Sequence, residues 1–392
     1  METLYPDSDL YRYADLLTGV ERAEILRLRA VLAEHLPSEV LADHWDRAAF
    51  PADAVEPLAA GGFIEPEALG GSPVRWLFQG FRSFELARHD ASVATWYNGQ
   101  ASLFLTNIEV GGSPEQVARW RPSVVDFSAR GVFAMTEPDH GSDVAGGLET
   151  TVRRSGGDWV LDGTKRWIGS AAYADHLCVV AREPDRGPVR ILVVPADADG
   201  VRLTTIERKT SVRMVTNSVI ELDSVRVPDE LRLANVESFA DVGAMLRRMR
   251  MTVAWHAAGV QAGAFEAARR YARAREQFGR PIGGFQLVQD KLARMLGNLT
   301  STLGIVVRLS QRQDEGVFDE VESSLAKRET CRHMRETVAL AREVCGGNGI
   351  TLDSDVARFH ADAEAIYTYE GTDDINALVV GRAITGLSAF TR

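Results

Sequence analysis

The stretch TYEGTDDIN, Thr368 to Asn376, carries one carboxylate in a setting suited to proton transfer. Thr372 is a good helix N-cap, and Asp373 and Asp374 put negative charge in the first turn, where the macrodipole favours it. Gly371 lets the backbone bend tightly just before that helix. Glu370 is therefore expected on a connection between two helices. Its flanks are apolar and aromatic: Ile366, Tyr367 and Tyr369 before it, Ile375, Leu378, Val379 and Val380 after it. Such surroundings desolvate a glutamate, raise its pKa and suit it to general-base work, while the nearby helix N-terminus pulls the other way. A glutamate in isolation is more often a solvated surface group, so the flanks carry the argument.

Four further segments combine glycines with polar and aromatic residues: MTEPDHGSDVAGG (Met135 to Gly147), KRWIGS (Lys165 to Ser170), REQFGRPIGGFQLVQDKLARM (Arg275 to Met295) and CGGNGI (Cys345 to Ile350). Taken singly each has a plain structural explanation. Thr136-Glu137-Pro138 reads as a turn after a strand, Trp167 as a core or interface tryptophan, and Arg275 as one of a helix-surface cluster with Arg269, Arg270 and Arg273. Three cysteines and eight histidines show no metal-ligand spacing, so no metal is expected. His256 reads as a packed or surface histidine rather than a ligand.

The elements that must position these residues fall into three regions. Apolar residues recur at helical spacing from about Leu16 to Arg130, broken at Gly61-Gly62, Gly70-Gly71 and Gly111-Gly112-Ser113-Pro114. From Gly131 to about Arg232 the pattern becomes short β-rich runs: VFAMT, TTVRR, DWVLDG, HLCVVA, VRILVVP, VRLTTI and SVIELDSVRVP. After Phe239 long helices return. Leu246, Met249, Val253, Ala257, Val260, Ala264, Ala268 and Tyr271 line one face, and Val288, Leu292, Met295, Leu299, Leu303 and Val306 repeat the stripe. A third helix is expected from about Asp319 to Cys345, ended by Gly346 in the left-handed conformation of a C-cap. A fourth segment runs from Asp353 to about Ile366, followed by the helix near Thr372. The fold class expected is mainly α with a central β domain. The N-terminal α-helical domain would span 1–130, a middle β-barrel-like domain 131–235, and a C-terminal four-helix bundle 236–392.

The net charge of −11 argues against nucleic acid and against an anionic membrane surface, though a few local arginines could still hold phosphates. No apolar stretch approaches the roughly 20 residues of a membrane helix. The polar, acidic N-terminus and the C-terminal SAFTR carry no recognisable address, so the expected location is the cytoplasm.

YEGTDDIN, with ALVVGRAITG after it and the four other segments in order before it, resembles the acyl-CoA dehydrogenase family over nearly the whole chain. The pattern is nearest the glutaryl-CoA dehydrogenases and the short-chain acyl-CoA oxidases. The resemblance implies FAD as cofactor, an acyl-CoA substrate, and an α,β-dehydrogenation in which Glu370 takes the α-proton and the flavin takes the β-hydride. It places Met135, Thr136, Ser142, Trp167 and Gly169 along the flavin and its phosphates, with Ser142 also reaching the pantetheine region. It gives Arg275, Phe278 and Gln286 to a cofactor held mainly by a neighbouring subunit. Gly346, Gly347, Thr372 and Asp374 would line the adenosine side, and Phe390 would touch it near the C-terminus. Thr95, Ser142, Arg250, Tyr369 and Gly371 are the implied substrate contacts. Met249 stands where other branches carry an alternative base, leaving Glu370 as the base. The family usually follows the tryptophan with Ile-Thr, whose hydroxyl meets flavin N5. This chain has Ile168-Gly169, so a backbone N–H or Ser170 must take that place.

A homotetramer, built as a dimer of dimers, is also implied, with electron-transfer flavoprotein as acceptor and oxygen as the alternative. Glutaryl enzymes hold the distal carboxylate with an Arg-Ser pair, where this chain has Ala94-Thr95. A carboxylate buried there without a cation would be costly, so a neutral acyl tail is expected, and a short one given Trp96 and Tyr97. The rival functions are an acyl-CoA oxidase, a flavin monooxygenase on the same scaffold, a nucleic-acid-binding relative using Arg247, Arg248 and Arg250, and a silent acyl-CoA-binding scaffold.

Overall fold

The computed structural model describes residues 3–389, so Phe390, expected to touch the cofactor, lies outside the described residues. The N-terminal third forms α1 (Gly19–His35), α2 (Ser38–Asp46), α3 (Ala52–Ala59), α4 (Trp76–His89) and α5 (Ala91–Asn98). A π-helical stretch follows, Gly99–Phe104, then α6 (Leu105–Gly111) and α7 (Pro114–Val125). The middle third holds β1 (Gly131–Ala134), α8 (Val144–Gly147), β2 (Thr151–Ser155), β3 (Asp158–Gly169), β4 (His176–Arg182), β5 (Val189–Pro195), β6 (Val201–Thr205) and β7 (Asn217–Pro228). The last third has α9 (Phe239–Ala274), a hairpin of β8 (Glu276–Gln277) and β9 (Arg280–Pro281), α10 (Gln286–Asp314), α11 (Glu320–Cys345), α12 (Asp355–Thr368) and α13 (Asp373–Thr385). Helix, sheet and helix thus follow in the expected order, and each of the seven β-rich runs became a strand. Among the described residues, no helix is long and apolar enough to cross a membrane.

Two compact units emerge. The first gathers the chain up to Thr95, Thr210–Met214, and everything from Arg250 onward. Its core joins Phe78, Phe81 and Phe84 of α4 to Ala254, Trp255 and Ala258 of α9 and to Leu299, Leu303 and Val306 of α10. The helical stripes read from the sequence are therefore what the elements bury, fraying to half-buried at Leu246, Tyr271, Val288 and Leu292. α11 packs on α10, α12 and α13. Its N-cap Asp319 accepts from the N–H groups of Val321 and Glu322 at 2.8 and 2.9 Å. Gly346 ends α11 as expected, but at φ 58° and ψ −133° it lies outside the left-handed helical well that a C-cap would use. Asp362 of α12 is pushed up to about 7, by burial first and then by Asp90. It accepts the Val212 N–H at 2.7 Å and the Trp45 indole N–H at 2.9 Å, tying Thr210–Met214 to α12.

The second unit comprises Trp96–Lys209 and Val215–Met249. Its seven-stranded sheet runs β1-β4-β2-β3-β7-β6, with β5 on the other side of β4. β4 and β5 are near-continuous apolar runs because Leu177–Ala181 and Ile191–Val194 are buried whichever way they point. The long β3–β7 ladder slips twice, between Leu161 and Gly163 and between Lys165 and Ile168. At the first slip Gly163 has φ 150°, and a Cβ there would stand 2.7 Å from the Thr150 Cα, so only glycine fits.

In the first unit, Gly80 on α4 leaves room for a tryptophan: an added Cβ would lie 2.2 Å from the Trp255 ring. Gly80→Ala should therefore destabilise the protein by ~1–3 kcal/mol despite alanine's better helix propensity. The denaturant midpoint measures this, and an unchanged midpoint would show that the indole can retreat.

Candidate active site

α12 stops at Thr368 and α13 starts at Asp373, leaving Tyr369, Glu370, Gly371 and Thr372 to make the connection. Thr372 caps α13 by accepting the Ile375 N–H at 3.3 Å. The turn needs two successive positive φ values, 58° at Glu370 and 89° at Gly371. Glycine adopts this freely, but for a glutamate it costs about 1–2 kcal/mol, a strain typical of residues held for function. Lys327 of α11, only 1% exposed, donates to the carbonyls of Tyr367 at 2.8 Å and Gly371 at 2.6 Å. Asn376 adds a second donor to the Gly371 carbonyl at 2.9 Å.

Glu370 is half-buried. Burial pushes it above the ordinary glutamate value, against Arg250 and Lys327, whose charges pull it down. Desolvation therefore outweighs the two cations, the balance a general base requires. Among the described residues, no acceptor takes the Glu370 N–H, so it remains able to stabilise a developing oxyanion. Arg250 is buried in α9 and donates to Ser324 Oγ at 2.9 Å, one turn of α11 before Lys327.

A neutral polar group forms beside this loop. The Tyr369 hydroxyl meets Thr95 Oγ1 at 3.2 Å and His256 Nδ1 at 3.3 Å. Thr95 also donates to the Ala91 carbonyl at 2.8 Å. Burial drives His256 down to about 3, so the imidazole is uncharged at neutral pH. Ala94 is fully buried. Of the two structural roles expected for His256, packing is the one found, with a tyrosine contact that the sequence did not suggest.

In the second unit, Met135 and Thr136 sit half-buried just past β1, where the Thr136 carbonyl accepts the Arg166 N–H at 2.8 Å. The second slip in the β3–β7 ladder falls on Arg166-Trp167, and Trp167 takes φ 66°. This bulge turns the indole outward and leaves it 51% exposed. An aromatic surface held in water beside a strand end is what a planar cofactor would cover, so the residues fit a flavin. Ser142 and Gly141 are exposed, and a Cβ on Gly141 would meet nothing. Gly169 pairs with Asn217 in the ladder, and the Ser170 N–H is already donated to the Thr216 carbonyl at 2.8 Å. The Ser170 N–H is thus committed elsewhere, leaving its hydroxyl and other backbone N–H groups as the expected replacements for the missing threonine.

Beneath this strand end lies an ion pair the sequence did not reveal. Lys165, with no exposed side-chain surface, donates to Glu137 Oε1 at 2.7 Å and to the Met135 carbonyl at 3.0 Å. Glu137 also accepts the N–H groups of Glu149 and Thr150 at 2.7 and 2.9 Å. Desolvation brings Lys165 down to about 8, and the same bonds hold Glu137 below the ordinary carboxylate range despite its own burial.

The other predicted cofactor residues belong to the first unit. Arg275 and Gln286 are exposed on either side of the β8–β9 hairpin, and Phe278 at its tip is 94% exposed at φ 52°. Gly346 and Gly347 are exposed with open space where a Cβ would be, Thr372 is half-buried and Asp374 exposed. Asn348 bonds the Tyr271 hydroxyl at 3.0 Å, linking the glycine stretch to the end of α9.

Three stretches of the chain match family models, described as the acyl-CoA dehydrogenase N-terminal domain over residues 22–128, the middle domain over 132–225 and the C-terminal domain over 239–385. A probable acyl-CoA dehydrogenase of Mycobacterium leprae is 30% identical over 372 residues, which span 93% of this chain and 95% of that protein. Subunit CarC of the caffeyl-CoA reductase-Etf complex of Acetobacterium woodii is 28% identical over 355 residues, spanning 88% and 93%. Among solved structures, a glutaryl-CoA dehydrogenase from Mycobacterium smegmatis in complex with FADH2 has a TM-score of 0.92 at 30% identity, covering 99% of this chain and 100% of that one.

Removing one partner of the buried pair beneath Met135 would strand the other. Lys165→Met should cost about 3–5 kcal/mol, and adding Glu137→Gln should recover part of it. Thermal unfolding of the two variants tests the coupling. Strictly additive losses would show that the pair does not act as a unit.

Proposed function

Since the chain belongs to the acyl-CoA dehydrogenase family, an FAD-dependent oxidoreductase family acting on the CH–CH bond of acyl-CoA, we propose that Glu370 is its catalytic base, acting on a short, neutral acyl-CoA thioester. The observation that carries this reading is the place of Glu370, half-buried at φ 58° on the turn that Lys327 braces, where burial pushes its carboxyl up against the pull of Arg250 and Lys327. The carboxylate takes a proton from the α-carbon, and the Cα–Cβ bond becomes a double bond as the β-hydrogen departs with its electron pair. FAD, when bound, supplies the acceptor for that hydride. The Glu370 N–H is aligned by the Lys327-braced turn to bond the thioester oxygen as negative charge develops there. Met135, Thr136, Ser142, Trp167 and Gly169 would hold the cofactor, with the Ser170 hydroxyl standing in for the absent threonine.

Arg275, Phe278, Gln286, Gly346, Gly347, Thr372 and Asp374 would serve a cofactor shared between copies of the chain. Support for an assembly comes from the exposed apolar residues Phe278, Leu287, Ile350 and Ile384, which a homotetramer would cover. Electron-transfer flavoprotein is the proposed acceptor, in keeping with the Etf complex of the Acetobacterium relative. Rapid reoxidation of the reduced protein in air, with stoichiometric peroxide, would assign oxygen instead.

Thr95, Ser142, Arg250, Tyr369 and Gly371 are the proposed substrate contacts. The neutrality of the tail rests on the group beside the base, where Ala94, Thr95, Tyr369 and a neutral His256 offer no positive partner. Butyryl-CoA should therefore give a kcat/KM at least about tenfold above that of glutaryl-CoA, since an unpaired carboxylate in such a site costs more than about 1.4 kcal/mol. A higher value for glutaryl-CoA would reverse the assignment.

Glu370→Gln should keep its yellow FAD and still bind acyl-CoA, yet bleach under anaerobic substrate at least about 10²-fold more slowly. Bleaching at the wild-type rate would remove Glu370 as the base.

A further inference from the structure

The turn carrying Glu370 cannot hold itself. It spans only four residues, puts a non-glycine residue at φ 58° and makes few bonds of its own. Asn376 of α13 bonds its C-terminal end, and the brace that joins both ends comes from α11. Lys327 Nζ bonds the carbonyls of Tyr367 and Gly371, so both ends of the Tyr369-Glu370 segment hang on one amine. One turn further along, Cys331 Sγ approaches the Ile366 carbonyl at 3.8 Å. One turn earlier, Ser324 accepts from Arg250. A single face of α11 thus organises the loop, and its central group is a cation.

Burying an ammonium is unfavourable unless bonds and opposite charge compensate it. Hydrogen-bonding two carbonyls needs donors, but an amide would serve that purpose without charge. The charge has a use only where a negative charge is near, and Glu370 and Asp373 are the anions facing Lys327, together with the Cys331 thiol and the opposing cation Arg250. We propose that Lys327 is the positioning residue of the base: its two bonds fix the left-handed bend that presents the Glu370 carboxylate and N–H, and they hold a cation near that carboxylate. The inference rests on Glu370 being the base.

The test compares Lys327→Met and Lys327→Arg with wild-type holoenzyme on butyryl-CoA, measuring FAD content, thermal midpoint, kcat, KM and the acid limb of kcat/KM. Activity falls as pH drops through the base's pKa, so losing the cation should move the limb to higher pH, by about one unit. In Lys327→Met, kcat should fall by about 10²-fold, since the loop loses its brace, while KM stays within about threefold. Lys327→Arg, which keeps charge and donors, should return the limb to its wild-type position. If Lys327→Met lowers only the thermal midpoint, with limb and kcat unmoved, the lysine is structural and the proposal falls. It falls equally if both variants are insoluble or flavin-free. If wild-type protein itself does not bleach with any acyl-CoA, the base assignment fails and takes this role with it. Wild-type bleaching with an unshifted limb in Lys327→Met sinks only the lysine.

Discussion

A carboxylate meant to act as a base must be taken out of water, and the backbone carrying it must then be held by something other than solvent. In this protein the holding is done by hydrogen bonds from one buried amine to two carbonyls, Lys327 to Tyr367 and Gly371. The rest of the first unit can be understood as what keeps that amine in place. α10, α12 and α13 pack around α11, so the rows of apolar residues on these helices decide where Lys327 stands. The aromatic core of α4 and α9 in turn fixes His256 and Arg250, both on α9 and both directed at the neighbourhood of Glu370.

The second unit solves a parallel problem. There the segment to be held is Met135-Thr136, and the clamp is Lys165 on its carbonyl, neutralised by Glu137. In each unit a lysine with almost no access to water bonds the main chain of a proposed functional segment. Each costs desolvation free energy, and each recovers it only through hydrogen bonds and nearby opposite charge. A bulge in the same ladder then points Trp167 outward, so one irregularity in β3 serves the strand end that Lys165 secures.

The sequence made most of this fold legible because its signals were periodic. Seven β-rich runs and two long apolar stripes depend only on local spacing, which survives in the folded chain. Thr372 and Asp319 were readable as helix starts for the same reason: a cap is a bond between residues two or three apart. The residues that stayed hidden are those whose partners are remote. Lys327 meets carbonyls 40 and 44 positions away, and Lys165 meets Glu137 at a separation of 28. One clue was available: Lys327 falls on the buried stripe of α11, among Ser323, Thr330, Cys331 and Met334. A lysine on an apolar face announces a buried amine, though not its acceptor. The β8–β9 hairpin and the π-helical turn at Gly99–Phe104 were equally hidden, being too short for any period to show.

The first unit is assembled from three separated stretches of sequence, and this has a consequence for how the chain acquires its structure. During synthesis Phe78, Phe81 and Phe84 emerge long before Trp255, so part of the aromatic face of α4 must wait uncovered while the second unit is made. Thr210–Met214 must likewise wait for Asp362. Loop closures of that span are slow, and the uncovered face is an invitation to aggregate.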